Sequence, residues 1–166
     1  MVNKIIKHAF KLLTREQSLD YIKRERKEFY NSIVSVPCPI LEGDVFFRSK
    51  GFFHLINESN STHFKTIPRS PEEQHLKLVC LEHAPTIITN ATEIHSTRIV
   101  RRKDSKGRWK KTTQYSLMGK AESGETVKVI VEKVGAPDQH QELQFLSIMP
   151  MHQDKKKKRR KGRFLK

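Results

Sequence analysis

Cysteine is scarce in this 166-residue chain, with only Cys38 and Cys80, far apart in sequence and set among apolar residues or prolines. That excludes a disulfide framework and suits a reducing compartment. No apolar run approaches the length of a membrane span, and the start, Met1-Val-Asn-Lys-Ile-Ile-Lys-His8, lacks the uninterrupted apolar core of a signal peptide. The expectation is a cytoplasmic protein without a membrane partner. Gly-rich phosphate loops and nucleophile elbows are missing too. The eight histidines show no metal-ligand spacing, and no cluster of aspartates suggests a two-metal nuclease. Neither a metal nor a cofactor is expected.

Acid is absent from the last twelve residues, and here the chain turns informative. Nine of its 33 Lys and Arg lie in that segment, so the tail contributes +9 of a net +15 and the body the remaining +6. The run Lys155, Lys156, Lys157, Lys158, Arg159, Arg160, Lys161 and Arg163 repels itself and has nothing to bury, which reads as a disordered polyelectrolyte arm. A basic body with a basic arm is suited to nucleic-acid phosphate, through counterion release. The plainer reading is a solubilising tail. An anionic membrane surface fits less well, because no amphipathic basic helix accompanies the tail.

Along the chain, Thr14-Arg-Glu-Gln17 has the spacing of a capping box. The helix it would open carries Leu19, Ile22, Phe29 and Ile33 as a narrow apolar stripe on a charged rod, as of an arm docking along one edge. Val36-Pro-Cys-Pro39 would end it. Val45–Phe47 reads as a short strand, Ser49 as the cap of a helix over Lys50–Glu58, and Asn57–Pro68 as a polar loop. Ser70-Pro-Glu-Glu73 is a second capping box, with proline at the first helical position. Leu76, Val79, Cys80 and His83 continue at helical spacing, and Thr86–Ala91 follows Pro85 as a further helix. After Ile94 the period becomes two. Ser96–Arg102, Arg108–Ala121, Thr126–Val134 and Glu142–Met149 are four strands, with turns at Asp104-Ser-Lys-Gly107 and Glu122-Ser-Gly-Glu125. Alternation puts Val127, Val129 and Val131 on one face, and Leu143, Phe145, Ser147 and Met149 on one face. Ser147, a hydroxyl among apolar neighbours, must find a partner or face a site. The class is α+β, with N-terminal helices on a four-stranded antiparallel sheet and a disordered basic tail. The divisions fall at 1–40, a helical arm, 41–150, the α+β domain, and 151–166, the tail.

Several residues suit metal-free RNA cleavage, in which the ribose 2′-OH is the nucleophile and the protein supplies a base, an acid and cations. His54, in Gly51-Phe-Phe-His54-Leu-Ile56, lies opposite the apolar side formed by Phe52, Leu55 and Ile56. Glu58, four residues on, would share its helical face and orient its ring. Tyr115, on a strand face with Trp109 and Leu117, is a proton donor or a stacking platform. Lys128, opposite Val127 and Val129, suits a phosphate, and Ser147 a phosphate oxygen. Arg98 and Arg101 can meet phosphate as well, although Arg98 reads first as sheet-surface charge. The plain alternatives are an ordinary surface histidine for His54, core packing for Tyr115, sheet-surface charge for Lys128 and a satisfied strand hydroxyl for Ser147.

The segments Gly51-Phe-Phe-His54-Leu-Ile56, Leu76-Lys-Leu-Val-Cys-Leu81 with Ile87-Ile-Thr-Asn90-Ala91, Val127-Lys-Val-Ile-Val-Glu-Lys-Val134 and Gln144-Phe-Leu-Ser147-Ile148 follow one another in order. Together they resemble the barnase–EndoU–colicin–RelE superfamily, and more narrowly its phage and mobile-element branch, over about residues 44–150. The resemblance implies helices on a four-stranded antiparallel sheet, metal-independent ribonuclease activity and frequent use as a toxin. It carries functional positions onto His54 and Ser147. The function expected is thus a metal-independent RNA endonuclease, a toxin or mobile-element effector, with catalytic residues His54, Tyr115, Lys128 and Ser147. Its partners would be RNA (tRNA or mRNA) and an antitoxin or immunity protein, the latter pairing with the Leu19/Ile22/Phe29/Ile33 stripe. The alternative is a non-catalytic RNA- or DNA-binding protein that uses the same sheet and the tail.

Overall fold

The computed structural model describes residues 18–60, 65–103 and 106–151. The Thr14–Gln17 box and the basic run Lys155–Arg163 lie outside them. In chain order the elements are α1 (Leu19–Ser32), β1 (Ser35–Cys38), β2 (Gly43–Phe46), α2 (Ser49–Ile56), β3 (Asn57–Asn60), β4 (Lys65–Pro68), α3 (Pro71–Cys80), α4 (Ala84–Asn90), β5 (Ser96–Lys103), β6 (Trp109–Lys120), β7 (Thr126–Val134) and β8 (Glu142–Pro150). The α+β class stands, but the main sheet has six strands in the order β1-β2-β8-β7-β6-β5, not four. It is antiparallel except where β2 runs parallel to β8. Among the described residues no helix is long and apolar enough to cross a membrane.

Of the two additional strands, β2 is the short strand expected near Val45–Phe47, and β1 comes from the segment expected only to stop a helix. A residue before proline is pushed toward extended backbone, and Val36 and Cys38 both precede one. Val36 and Cys38 point into the core while Pro37 is exposed, and proline's missing N–H is tolerated because β1 is the sheet's edge. The Asn57–Pro68 stretch, expected as a loop, forms the β3–β4 hairpin. Its polar residues give no apolar alternation, so only backbone pairing reveals it. Helix α2 starts at Ser49 with Arg48, not Ser49, as its N-cap, and ends at Ile56. Glu58 therefore sits in β3 and shares no helical face with His54.

Helix α1 opens at Ser18, whose backbone is extended and whose hydroxyl accepts from the Tyr21 amide at 3.3 Å. Far from lying along an edge, it reaches the middle of the core. Tyr30 is fully buried, with ring centroids 5.2, 5.5 and 5.8 Å from Phe47, Phe52 and Phe145. Its hydroxyl donates to the Arg48 carbonyl at 2.7 Å, tying α1 to the first turn of α2. Leu19, Ile22, Phe29 and Ile33 all pack into this same core. The stripe considered for an antitoxin is occupied by the chain itself.

Strand β8 organises the rest. Its first residues pair with β2 at Leu143 and Gln144, and its remaining outer edge is covered by α2 and α3. Gly51 allows the approach of α2, because a Cβ there would stand 2.3 Å from the Tyr30 hydroxyl and 2.5 Å from the Phe145 carbonyl oxygen. On the other side β7 pairs along the length of β8, except for one shift of register. Val131 faces Phe145 but Ile130 faces Ser147, leaving Leu146 as an extra residue, a β-bulge.

Candidate functional site

The bulge decides which way the end of β8 points. Strict alternation would keep Leu143, Phe145, Ser147 and Met149 together. One extra residue reverses the parity, so Leu143 and Phe145 face the helices with Ile148, while Ser147 and Met149 turn to the other face beside Ile130 and Lys128. Ser147 is thus not a polar intruder in the core. It stands at the floor of a groove of about 570 Å³, lined from α2 by His54, from α3 by Glu73, Leu76 and Lys77, and from the sheet by Arg98, Gln114 and Lys128.

Lys77 is the unexpected member. It lies in α3, whose start is fixed by Ser70, the hydroxyl accepting from the Glu73 amide, with Pro71 in the first turn. From there its stem runs into the molecule until the side chain is 4% exposed. The ammonium donates to the Ser147 hydroxyl oxygen at 3.0 Å and to the Ile148 carbonyl at 3.3 Å. Burial lowers its pKa from 10.5 to about 8, with further pressure from the charges of Arg69 and Lys128 and some relief from Glu73. A titratable group shifted this far, in a cleft and with defined partners, makes the groove a candidate functional site.

Arg69 follows the β3–β4 hairpin and is held by many bonds. Its amide donates to the Ile56 carbonyl at 3.0 Å, its Nε donates to the His54 carbonyl at 3.1 Å, and its guanidinium pairs with Glu73. Its carbonyl in turn accepts from the Gln74 side chain at 2.6 Å. The backbone beside His54 is thereby fixed to the start of α3. Behind the groove, buried Glu132 accepts from Gln114 Nε2 at 3.3 Å and is paired with Lys50 of α2. This network fixes Gln114, another residue of the lining.

Three of the four candidate catalytic residues, His54, Lys128 and Ser147, line this one groove. Tyr115 does not. Its register partner is Val131, so it belongs to the opposite face of the sheet and lines a separate pocket of about 420 Å³ with Lys133, His140 and Glu142. Arg98, read as sheet-surface charge, is a groove residue, because its partner on β6 is Gln114. Sequence reasoning missed Lys77 and Arg69. For Lys77 a signal existed: Cys80 and Leu81, three and four residues on, place it on the apolar side of its helix. For Arg69 there was none, since it comes into position through a hairpin that leaves no periodic trace.

Among the described residues, the lining therefore holds Arg69, Lys77, Arg98 and Lys128 against a single carboxylate, Glu73, which is already paired. Such a surface attracts anions, and its buried amine strengthens that in a low local dielectric. Comparison with family models, with curated proteins and with solved structures finds no match to this chain.

Proposed function

We propose that the groove binds RNA and cleaves it without a metal. The observation that carries this reading is Lys77, a buried ammonium hydrogen-bonded to Ser147 at the floor of a cationic groove that His54 also lines. The 2′-OH attacks the adjacent phosphorus, the 2′-oxygen–phosphorus bond forms, and the bond to the 5′-oxygen breaks. His54 takes the 2′-OH proton. Lys77, its proton loosened by burial, gives one to the leaving 5′-oxygen. Lys128 and Arg98 supply positive charge to the phosphorane oxygens. Ser147 accepts from Lys77 and keeps its own O–H to donate to phosphate. Tyr115 has no part in this scheme.

The resemblance to the barnase–EndoU–colicin–RelE superfamily supports the same chemistry and suggests a toxin or mobile-element role. RNA incubated with the full chain in chelator should yield fragments ending in 2′,3′-cyclic phosphate. His54→Ala and Lys77→Met should each lower the rate about 100-fold or more. Intact RNA, or equal cleavage by either variant, overturns the proposal. RNA bound tightly but left intact would show the non-catalytic alternative instead. Growth arrest by the wild type and not by His54→Ala would support the toxin role.

A further inference from the structure

Strand β7 pairs with β6 only from Thr113 onward, whereas β6 begins at Trp109. Among the described residues, Trp109–Thr112 therefore pair with Val100–Lys103 of β5 alone, as a two-stranded ribbon overhanging the sheet by about 13 Å at the usual strand rise. Residues 100–112 contain seven Lys and Arg and one acid, a basic density that only the C-terminal run exceeds. Register places Trp109 and Lys111 on one face with Arg101 and Ile99, and Lys110 on the other with Arg98. Trp109 is 69% exposed and Ile99 67% exposed.

Charges on an edge strand often serve only to prevent sheet-to-sheet pairing. That purpose does not account for Trp109 or Ile99, whose exposed apolar surface works against it. An aromatic ring set among cations on a ribbon is the chemistry of a single-stranded nucleic acid, in which phosphates meet the cations and an unpaired base stacks on the ring. A duplex offers no free base face. One face of the ribbon continues toward the groove, because Lys110 and Arg98 share the face of Gln114 and Lys128, whereas Trp109 stands on the other face.

We propose that the β5–β6 ribbon is a docking arm for a single-stranded segment of RNA, with Trp109 as a base-stacking platform on one face and Lys110 and Arg98 on the other guiding the strand toward the groove. The choice of RNA rests on the function proposed above; the single-strand preference rests on the ribbon itself. Trp109 is the chain's one tryptophan, so its emission reports this site alone.

The full chain is titrated with a 2′-O-methyl single strand of about 12 nucleotides, which cannot be cleaved, then with a hairpin duplex and with polyphosphate. The single strand should quench Trp109 saturably and more strongly than either control. Trp109→Ala should weaken binding, read by anisotropy, about tenfold, while Trp109→Phe retains most of it. Lys110→Gln with Lys111→Gln should reduce the log–log salt slope by about 1.4. Binding without quenching, equal quenching by polyphosphate, or tighter binding of the duplex each overturns the docking arm. Cleavage lost in unmodified RNA while quenching persists would overturn the groove reading and leave the arm standing. Cleavage intact without quenching would do the reverse.

Discussion

The Lys77 ammonium donates a 3.0 Å hydrogen bond to the Ser147 hydroxyl across 70 positions of sequence, joining α3 to the last strand at the floor of the groove. One residue is a helical lysine on the wrong side of its helix, the other a strand serine placed by a bulge. Each gives the other its reason.

Replacing Lys77 separates stability from function. Lys77→Met removes a charge from a buried position and keeps most of the volume, so the midpoint of thermal unfolding should hold or rise. RNA affinity should fall over the same change, and filter binding beside a thermal melt would show the two moving apart.

The same lysine sets a pH window. Its pKa is about 8 in the folded protein and 10.5 when exposed. Between those values the unfolded chain holds the extra proton, so the cost of the buried charge, complete below pH 8, is relieved as pH rises toward 10.5. Wild type should gain stability relative to Lys77→Met over that window, by up to about 1.4 kcal/mol per pH unit. Urea melts of both proteins at pH 7.5, 9 and 10 check it; the difference cancels groups that do not feel Lys77, and Cys80, which does, is removed by using a Cys80→Ala background for both. Cleavage should fall above about pH 8 as the ammonium is lost, while Lys77→Arg keeps its charge.

Gly51 is a packing constraint. Alanine there would collide with the Phe145 carbonyl and the Tyr30 hydroxyl, whereas at Gly119 the nearest atoms all belong to the Ile87 side chain and none to backbone. Gly51→Ala should cost about 3 kcal/mol and Gly119→Ala clearly less, both read from urea unfolding.

Glu132 is 1% exposed and Lys50 is its ion-pair partner, itself partly in solvent. Lys50→Ala should destabilise by about 2 kcal/mol by leaving the carboxylate without that charge. Adding Glu132→Gln should recover part of the loss, and a double-mutant cycle measures the coupling.

Local signals carried far in this chain. The Ser70 cap and the four strands after Ile94 lie within a residue or two of where local signals put them, because caps and alternation act over a few neighbours. Pro85, expected to break the run, instead sits in the first turn of α4. Edge strand β1 failed to show, since Pro37 and Pro39 speak for a helix end as readily as for a sheet edge. The β3–β4 hairpin failed too, for its polar residues carry no pattern.

For the site, His54, Lys128 and Ser147 were legible, but the expected reason for Ser147 was wrong. Alternation put it among apolar neighbours, and the extra residue Leu146 turned it to the groove. Tyr115 went to the opposite face and another pocket. Thus the sequence alone determined the basic charge, the α+β class and the candidates His54, Lys128 and Ser147, which depend on composition and short-range spacing. Tertiary structure alone decided which of them meet. Lys77 reaches Ser147, and Arg69 reaches the His54 backbone, only because a bulge, a hairpin and one glycine contact bring distant segments of the chain together.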